Sequence, residues 1–270
     1  MKLLVLLSIP VLLLTACGGP KKEAQSITLT GSSTVAPLVA DAAKRYEAAN
    51  PGVRIDVQTG GSSRGIADVQ SGLADLGMAS RALKEEESAL TEHRIAMDGV
   101  CLIVHRDNPV ANLSKAQAIA IYTGKIDNWS ALGGADSEIV VANKAEGRAT
   151  LEVFLEYTGL DSADVKADVV VGENQQAIKT VAGNAAAIGY VSIGAAASEA
   201  AAGTPIRLVA SDGVEATTAA VADGSFPITR PLQIITSGTI PPAAQAFLDY
   251  LKSGQVDDLV ESHLYVPLAR

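Results

Sequence analysis

Four segments of the 270-residue sequence place glycine and hydroxyl residues where a strand would end and a helix begin. They are Gly31-Ser32-Ser33-Thr34, Gly61-Ser62-Ser63-Arg64-Gly65, Ser80-Arg81 and Glu146-Gly147-Arg148-Ala149-Thr150. A helix N-terminus presents unpaired N–H groups and the positive end of its macrodipole, which together attract an anion. Glycine lets the backbone approach a ligand, and Ser and Thr hydroxyls add donors. Taken singly, each loop is equally an ordinary capped turn, because Ser, Thr and Gly are common there. The recurrence of the pattern, with Arg81, Arg148 and Lys144 close by, points to one site for an oxyanion.

The same inventory lacks the signatures of an enzyme. There is no G-x-S-x-G elbow, no Walker A loop and no H-E-x-x-H. His93, His105 and His263 are far apart and lack metal-ligand spacing. No metal and no cofactor is expected, and no catalytic residue is assigned. A secreted phosphatase using one of the serines as nucleophile would need a metal pair or an activating base, and neither is visible.

Compartment is read from the first residues. Lys2 precedes an apolar run, Leu3 to Leu14, broken only by Ser8 and Pro10. That run is too short to span a bilayer and reads as a cleaved export signal over residues 1–16. Leu14-Thr15-Ala16-Cys17 resembles the bacterial lipobox, which implies lipidation at Cys17, and residues 17–25 read as a tether. Cys101 then has no disulfide partner; it lies in the apolar run Gly99 to Val104, where a buried, inert thiol is expected.

Removing residues 1–16 takes away Lys2 alone among charged residues, so the formal charge of −9 becomes −10. Such a chain offers no basic face for nucleic acid, and any anion must be caught by local geometry against an unfavourable overall field. Aromatic residues are 4% of the chain with Trp129 the single tryptophan, so no stacking platform for sugars or bases is evident.

The elements that must position these loops alternate. Ile27 to Leu29 reads as a strand, about Val35 to Asn50 as a helix closed by Pro51-Gly52, and Val53, Ile55 and Val57 as one face of a strand. After Gly60-Gly61-Ser62-Ser63 a short helix follows, then a strand over Asp75 to Ala79 and an acidic helix near Glu85 to Leu90. Ser114-Lys115-Ala116-Gln117 is a capping box that opens a helix ending at Thr123-Gly124. Ile139 to Ala142 and Val165 to Val171 read as strands, with a helix from Ala149 to Thr158 between them, stopped by Gly159. Asn174 to Gly183 is a helix, Ala187 to Val191 a strand and Ile228 to Thr236 another, before two C-terminal helices. Residues 195–202 are Ala-rich, with no element assigned. The β-loop-α alternation argues for an α/β fold with parallel strands.

Several of these segments together resemble one family. Gly31-Ser32-Ser33-Thr34-Val35-Ala36-Pro37, Gly60-Gly61-Ser62-Ser63-Arg64-Gly65-Ile66, Asp75-Leu76-Gly77-Met78-Ala79-Ser80-Arg81, Ile121 to Ile126 with Asn128-Trp129, and Ala187-Ile188-Gly189-Tyr190-Val191 run in family order along the mature chain. They are similar to the phosphate-binding subunit of bacterial phosphate ABC transporters, in its short branch. The resemblance implies a two-lobed, type II periplasmic binding protein with mixed sheets flanked by helices. It places lobe one at 26–104 and 228–270 and lobe two at 105–227, with crossings near His105 and Pro227. It implies an exported, lipid-anchored, monomeric receptor that takes inorganic phosphate and hands it to ABC permease subunits.

The ligand residues expected on this basis are Ser32, Ser33, Thr34, Ser62, Ser63 and Arg81 from lobe one, and Lys144, Gly147, Arg148 and Thr150 from lobe two. The chain departs from the family pattern in its last loop. Lys144 stands where an arginine is usual, and Arg148-Ala149 replaces Ser-Gly. Arg81 stands where longer relatives carry an acid that accepts the proton of hydrogen phosphate, leaving Asp75 or Glu146 as alternative acceptors. Sulfate, molybdate and tungstate are therefore alternative ligands, and a sensor or adhesin is an alternative role.

Overall fold

The computed structural model describes residues 25–269; the expected signal, Cys17 and all but the last residue of the expected tether lie outside them. Alternating apolar residues start the first unit: Ile27 and Leu29 of β1 (Gln25–Gly31) point into the core. Helix α1 (Ala36–Ala49) follows, with Leu38, Val39, Ala42 and Ala43 on its buried face, and Pro51-Gly52 turns the chain into β2 (Val53–Thr59). Helix α2 (Ser62–Gln70) and β3 (Leu76–Ala79) complete a parallel β2-β1-β3 ladder.

The expected acidic helix at 85–90 is a single 3-10 turn, Glu85–Glu87. Its side chains account for this. Glu87 is drawn back to the Lys84 amide and to Arg81, and only Leu90 offers an apolar contact that a longer helix would bury.

The next strand is fifteen residues long, β4 (Thr91–His105). Its first part pairs antiparallel with β11 (Thr229–Thr236), and from Val100 it pairs with β8 (Ala187–Ser192). Between β4 and β8 come β5 (Asn112–Leu113), α3 (Lys115–Tyr122), β6 (Val140–Lys144), α4 (Ala149–Thr158), β7 (Val169–Val171) and α5 (Asn174–Ala182). The capping box holds as read: the Gln117 amide donates to Ser114 Oγ at 3.2 Å and the Ser114 amide to Gln117 Oε1 at 2.8 Å. Gly159 closes α4 in the left-handed region. The strand expected from Val165 shortens to three residues, because the Lys166 amide is taken by the Tyr122 carbonyl and Ser162–Asp164 form a 3-10 turn.

The Ala-rich stretch left unassigned above is α6 (Ile193–Ala201), capped by Ser192, whose Oγ accepts from the Ala195 amide. After it come β9 (Ile206–Leu208), β10 (Ala210–Ser211), α7 (Thr218–Ala222), β11, α8 (Pro242–Lys252) and α9 (Asp257–Ser262). The large sheet runs β2-β1-β3-β11-β4-β8-β6-β7, with β9 on β4. It is parallel at both ends and antiparallel where β11 and β4 insert, so the fold is mixed α/β.

Two cores flank the β4–β11 pair. One holds most of the buried apolar residues from Ile27 to Ala96 and from Leu232 to Tyr265, the other those from Val100 to Ile228, and Ile66, Ala79, Leu90 and Ile235 form a small separate cluster. The chain changes core at 97–99 and again at 229–231. Gly99 marks the first change because a Cβ there would lie 2.5 Å from Ile193 Cδ1 and 2.9 Å from Val221 Cγ2. Cys101 follows at once, fully buried, and burial pushes its thiol well above the ordinary range. No described helix is long and apolar enough to cross a membrane.

Candidate functional site

Three helices begin at one small cavity. The loop after β1 leads into α1, Gly61 precedes α2, and Arg148 precedes α4; none of these N-caps supplies a side-chain hydrogen bond to its own helix. By contrast α3, α6 and α7 are closed by the side chains of Ser114, Ser192 and Thr217. A helix start without such a cap leaves donors for an external acceptor, though at α1 Ser32 Oγ already takes the Thr34 and Val35 amides and at α2 the Gly147 carbonyl takes the Ser63 amide. The cavity, about 10 Å³ in this arrangement of the loops, is lined by Ser32, Ser33, Thr34, Gly61, Ser62, Ser80, Arg148, Ala149, Thr150 and Gly172. None of these carries a carboxylate. Larger hollows exist elsewhere, such as the one between α1 and α8 beside Tyr46 and Tyr250, but no such set of donors converges there.

Of the ten residues expected to bind ligand, six line this cavity: Ser32, Ser33, Thr34, Ser62, Arg148 and Thr150. Ser32 does so chiefly as a brace. Its hydroxyl donates to Ser80 Oγ at 2.9 Å and accepts from the Thr34 and Val35 amides at 3.2 and 3.4 Å. Ser62 Oγ accepts from the Ser80 amide at 3.1 Å, which ties the α2 loop to the end of β3.

The other four stand beside the cavity. Ser63 and Gly147 close the contact between their loops: the Ser63 amide donates to the Gly147 carbonyl at 3.3 Å. Gly61, at φ 97°, makes the approach possible, since a Cβ there would sit 2.7 Å from the Gly147 carbonyl oxygen. Arg81 is buried and turned away, with its guanidinium on both oxygens of Glu87 at 2.7 and 2.8 Å and its Nε 3.0 Å from Glu152. Glu152, on α4, also meets Lys84 at 2.8 Å and Ser63 Oγ at 3.2 Å, so this cluster joins the two cores. No α-helix follows Ser80-Arg81, which separates that loop from the other three.

Lys144 ends β6 with 3% of its surface exposed. Tyr190 fixes this strand end, donating to Asn143 Oδ1 and accepting from the Lys144 amide, with its ring stacked on Phe154 at 4.2 Å. The Lys144 amine donates to the Glu173 carbonyl at 3.0 Å and to Asn174 Oδ1 at 3.4 Å, both neutral acceptors. Burial first, then the charge of Arg230, lowers its pKa from 10.5 to about 7; Glu173 opposes this and Arg148 adds to it. Arg148 itself pairs with Glu173 Oε1 at 2.6 Å.

Three participants, Arg230, Asp98 and Asn174, were not identified from sequence. Arg230 on β11 and Asp98 on β4 form an ion pair at 2.8 Å, both with 1% side-chain exposure. Arg230 reaches Thr150 Oγ1 at 2.9 Å, Thr34 Oγ1 at 3.2 Å and Ser80 Oγ at 3.4 Å. Asn174 Nδ2 donates to Thr34 Oγ1 at 3.0 Å. The available signal for the pair was a charge set in each of two short uncharged stretches, Met97-Asp98-Gly99-Val100 and Ile228-Thr229-Arg230-Pro231; 132 residues separate them. The two alternative acceptors lie elsewhere. Asp75 Oδ2 takes the Thr28 amide at 2.8 Å and Glu146 Oε1 takes the Ser162 hydroxyl. The histidines are also apart from the cavity: His93 meets Thr236, His263 meets Asp41, and His105 meets Asp107.

Comparison with known proteins agrees with this geometry. Residues 19–255 match the family described as the PBP superfamily domain. A phosphate-binding protein PstS of Bacillus subtilis is 32% identical over 255 residues, spanning 93% of this chain and 83% of its own length. A solved substrate-binding protein of a phosphate ABC transporter from Clostridium perfringens, described as holding phosphate, superposes with a TM-score of 0.86 at 33% identity. That match covers 91% of this chain and 100% of the other. A phosphate transport receptor from Vibrio cholerae superposes with a TM-score of 0.74 at 30% identity, covering 90% of this chain and 100% of that one. With three helix starts facing one cavity and relatives of this similarity over nearly the whole length, the chain belongs to the PBP superfamily and, within it, to the PstS family of ABC-transporter phosphate-binding proteins.

Proposed function

We propose that the protein captures inorganic phosphate between two lobes and delivers it to the permease subunits of an ABC transporter. It acts as a monomer, outside the cytoplasm, anchored through a lipid on Cys17. The supporting observation is the convergence of three helix N-termini, those of α1, α2 and α4, and a ring of hydroxyls on a cavity walled by both cores. The lobes proposed here are the two cores, joined through β4 near Gly99 and β11 near Thr229, and their separation would open the cavity. Ser33, Thr34, Ser62, Ser80, Arg148 and Thr150 are the proposed direct donors, with Lys144 supplying charge from behind Asn174. Ser63, Gly147 and Arg81 serve the contact between lobes. Binding is by geometry and hydrogen bonds, without a covalent step, since none of the cavity hydroxyls has a general base beside it.

One observation keeps a second ligand in view. No lining residue is a carboxylate able to accept the proton of hydrogen phosphate, so a proton-free oxyanion such as sulfate also suits the donor set. Titration calorimetry of the phosphate-free protein against phosphate, sulfate and molybdate decides between them. Preferential binding of phosphate supports the proposal, and preferential binding of sulfate or molybdate replaces it.

A further inference from the structure

Arg230 carries a role that neither the loops nor the family resemblance assigns. A guanidinium has five N–H donors and a hydroxyl has one donor and two lone pairs. In this structure all five donors of Arg230 are engaged. Nε and Nη2 donate to Asp98 Oδ2 at 3.1 and 2.8 Å, Nη2 also to Thr34 Oγ1, and Nη1 to Thr150 Oγ1 and Ser80 Oγ. No N–H remains for a ligand, and Asp98 balances the charge.

The consequence appears at the hydroxyls. Thr34 Oγ1 accepts from Arg230 and Asn174, which fills both lone pairs. Ser80 Oγ accepts from Arg230 and Ser32, with the same result. Thr150 Oγ1 accepts from Arg230. All three residues line the cavity, and among the described residues none of the three hydroxyls donates to a protein acceptor. Their hydroxyl protons are thus left without a protein acceptor.

We propose that Arg230, held by Asp98, is the positioning residue of the anion site: it sets the hydroxyls of Thr34, Ser80 and Thr150 as donors toward the ligand. This rests on the reading of the cavity as an oxyanion site. Thr34 and Ser80 come from one core and Thr150 from the other, so the same guanidinium links donor orientation to the meeting of the two. A lysine cannot reproduce this, because its three donors radiate from one atom and lack the planar fork.

The test is phosphate titration calorimetry on the full mature chain, with thermal melts alongside. Variants are Arg230→Lys, Thr150→Val and Thr150→Ser, plus Arg230→Lys combined with each of the two Thr150 changes. The wild type is expected to bind phosphate. Folded Arg230→Lys should lose about tenfold or more in affinity, in line with loss of oriented hydrogen bonds to a charged ligand. Thr150→Val should weaken the wild type strongly but weaken Arg230→Lys little, while Thr150→Ser restores binding only where Arg230 is present. Should Arg230→Lys fail to fold, Arg230→Met with Asp98→Leu replaces the buried pair by apolar side chains, a change that commonly preserves folding; it should melt cooperatively and still bind at least about tenfold more weakly. Arg230→Lys binding within about threefold of wild type, or an equal cost of Thr150→Val in both backgrounds, overturns the positioning role alone. A wild type that binds no oxyanion overturns the site reading itself.

Discussion

Asn174 Nδ2 donates to Thr34 Oγ1 at 3.0 Å across 140 residues of chain, joining the start of α5 to the loop before α1. Its other atom, Oδ1, receives the Lys144 amine at 3.4 Å. One buried amide thus relays between a cation in the second core and a cavity hydroxyl in the first. Asn174→Ala is expected to weaken phosphate binding by about 1–2 kcal/mol, the cost of a lost hydrogen bond in a buried network. Stopped-flow measurement should place most of that loss in the dissociation rate, because the bond forms only when the two cores meet.

Lys144 makes binding and stability depend on pH. In the folded protein its pKa lies at about 7, against an ordinary 10.5. Between those values the unfolded chain holds a proton that the folded protein has released, so stability rises with pH through that window. As pH falls through about 7 the buried amine must charge and this contribution is lost. Lys144→Met should therefore raise the melting temperature of the ligand-free protein at pH 6 while weakening phosphate binding. Phosphate itself titrates in this range, so proton uptake on binding is compared between wild type and Lys144→Arg, using calorimetry in buffers of different ionisation enthalpy. Uptake should be smaller in the arginine variant.

The Glu152 cluster tests the contact between cores outside the cavity. Glu152 meets Ser63, Arg81 and Lys84, and Arg81 keeps Glu87 when Glu152 is changed. Glu152→Gln is expected to reduce phosphate affinity by about 1 kcal/mol, the scale of a partly exposed ion pair. Arg81→Met should instead lower the melting temperature by several degrees, because it leaves Glu87 and Glu152 without their buried cation. Melts and titrations of the two variants separate these effects.

Gly61 provides a steric test of closure. Its φ is 97° and a Cβ would press on the Gly147 carbonyl. Gly61→Val is expected to hold the loops apart and to lower phosphate affinity by about tenfold or more, with both cores intact by circular dichroism.

Much of this was legible in the sequence because local chemistry fixed it. Ser114 with Gln117, Gly159 after Thr158, and the alternation of Val53, Ile55 and Val57 each specify an element within a few residues, and each element formed. Three of the four hydroxyl-rich loops likewise announced helix starts, and the fourth, Ser80-Arg81, did not. What stayed hidden depends on distant pairing. Arg230 is the one charge of its strand and Asp98 sits between apolar neighbours in β4, and only the antiparallel register of β11 on β4 brings them together. The change of core at Gly99 follows from the approach of Ile193 and Val221, neither of which is near it in sequence. Arg81 looked like a ligand because its partners, Glu87 and Glu152, could not be assigned to it before folding. The alanines of α6 lack the apolar-polar contrast by which a buried helix is read.

The central claim is that the cavity between Thr34 and Thr150 holds phosphate with donors from both cores. The direct test is calorimetric titration of the phosphate-free mature protein and of Thr34→Val/Thr150→Val. Replacing two hydroxyl donors at about 1.5–3 kcal/mol each for a charged acceptor predicts binding weakened by at least about a hundredfold, with the fold retained. Undiminished phosphate binding in that double variant, or none in the wild type, would contradict the account.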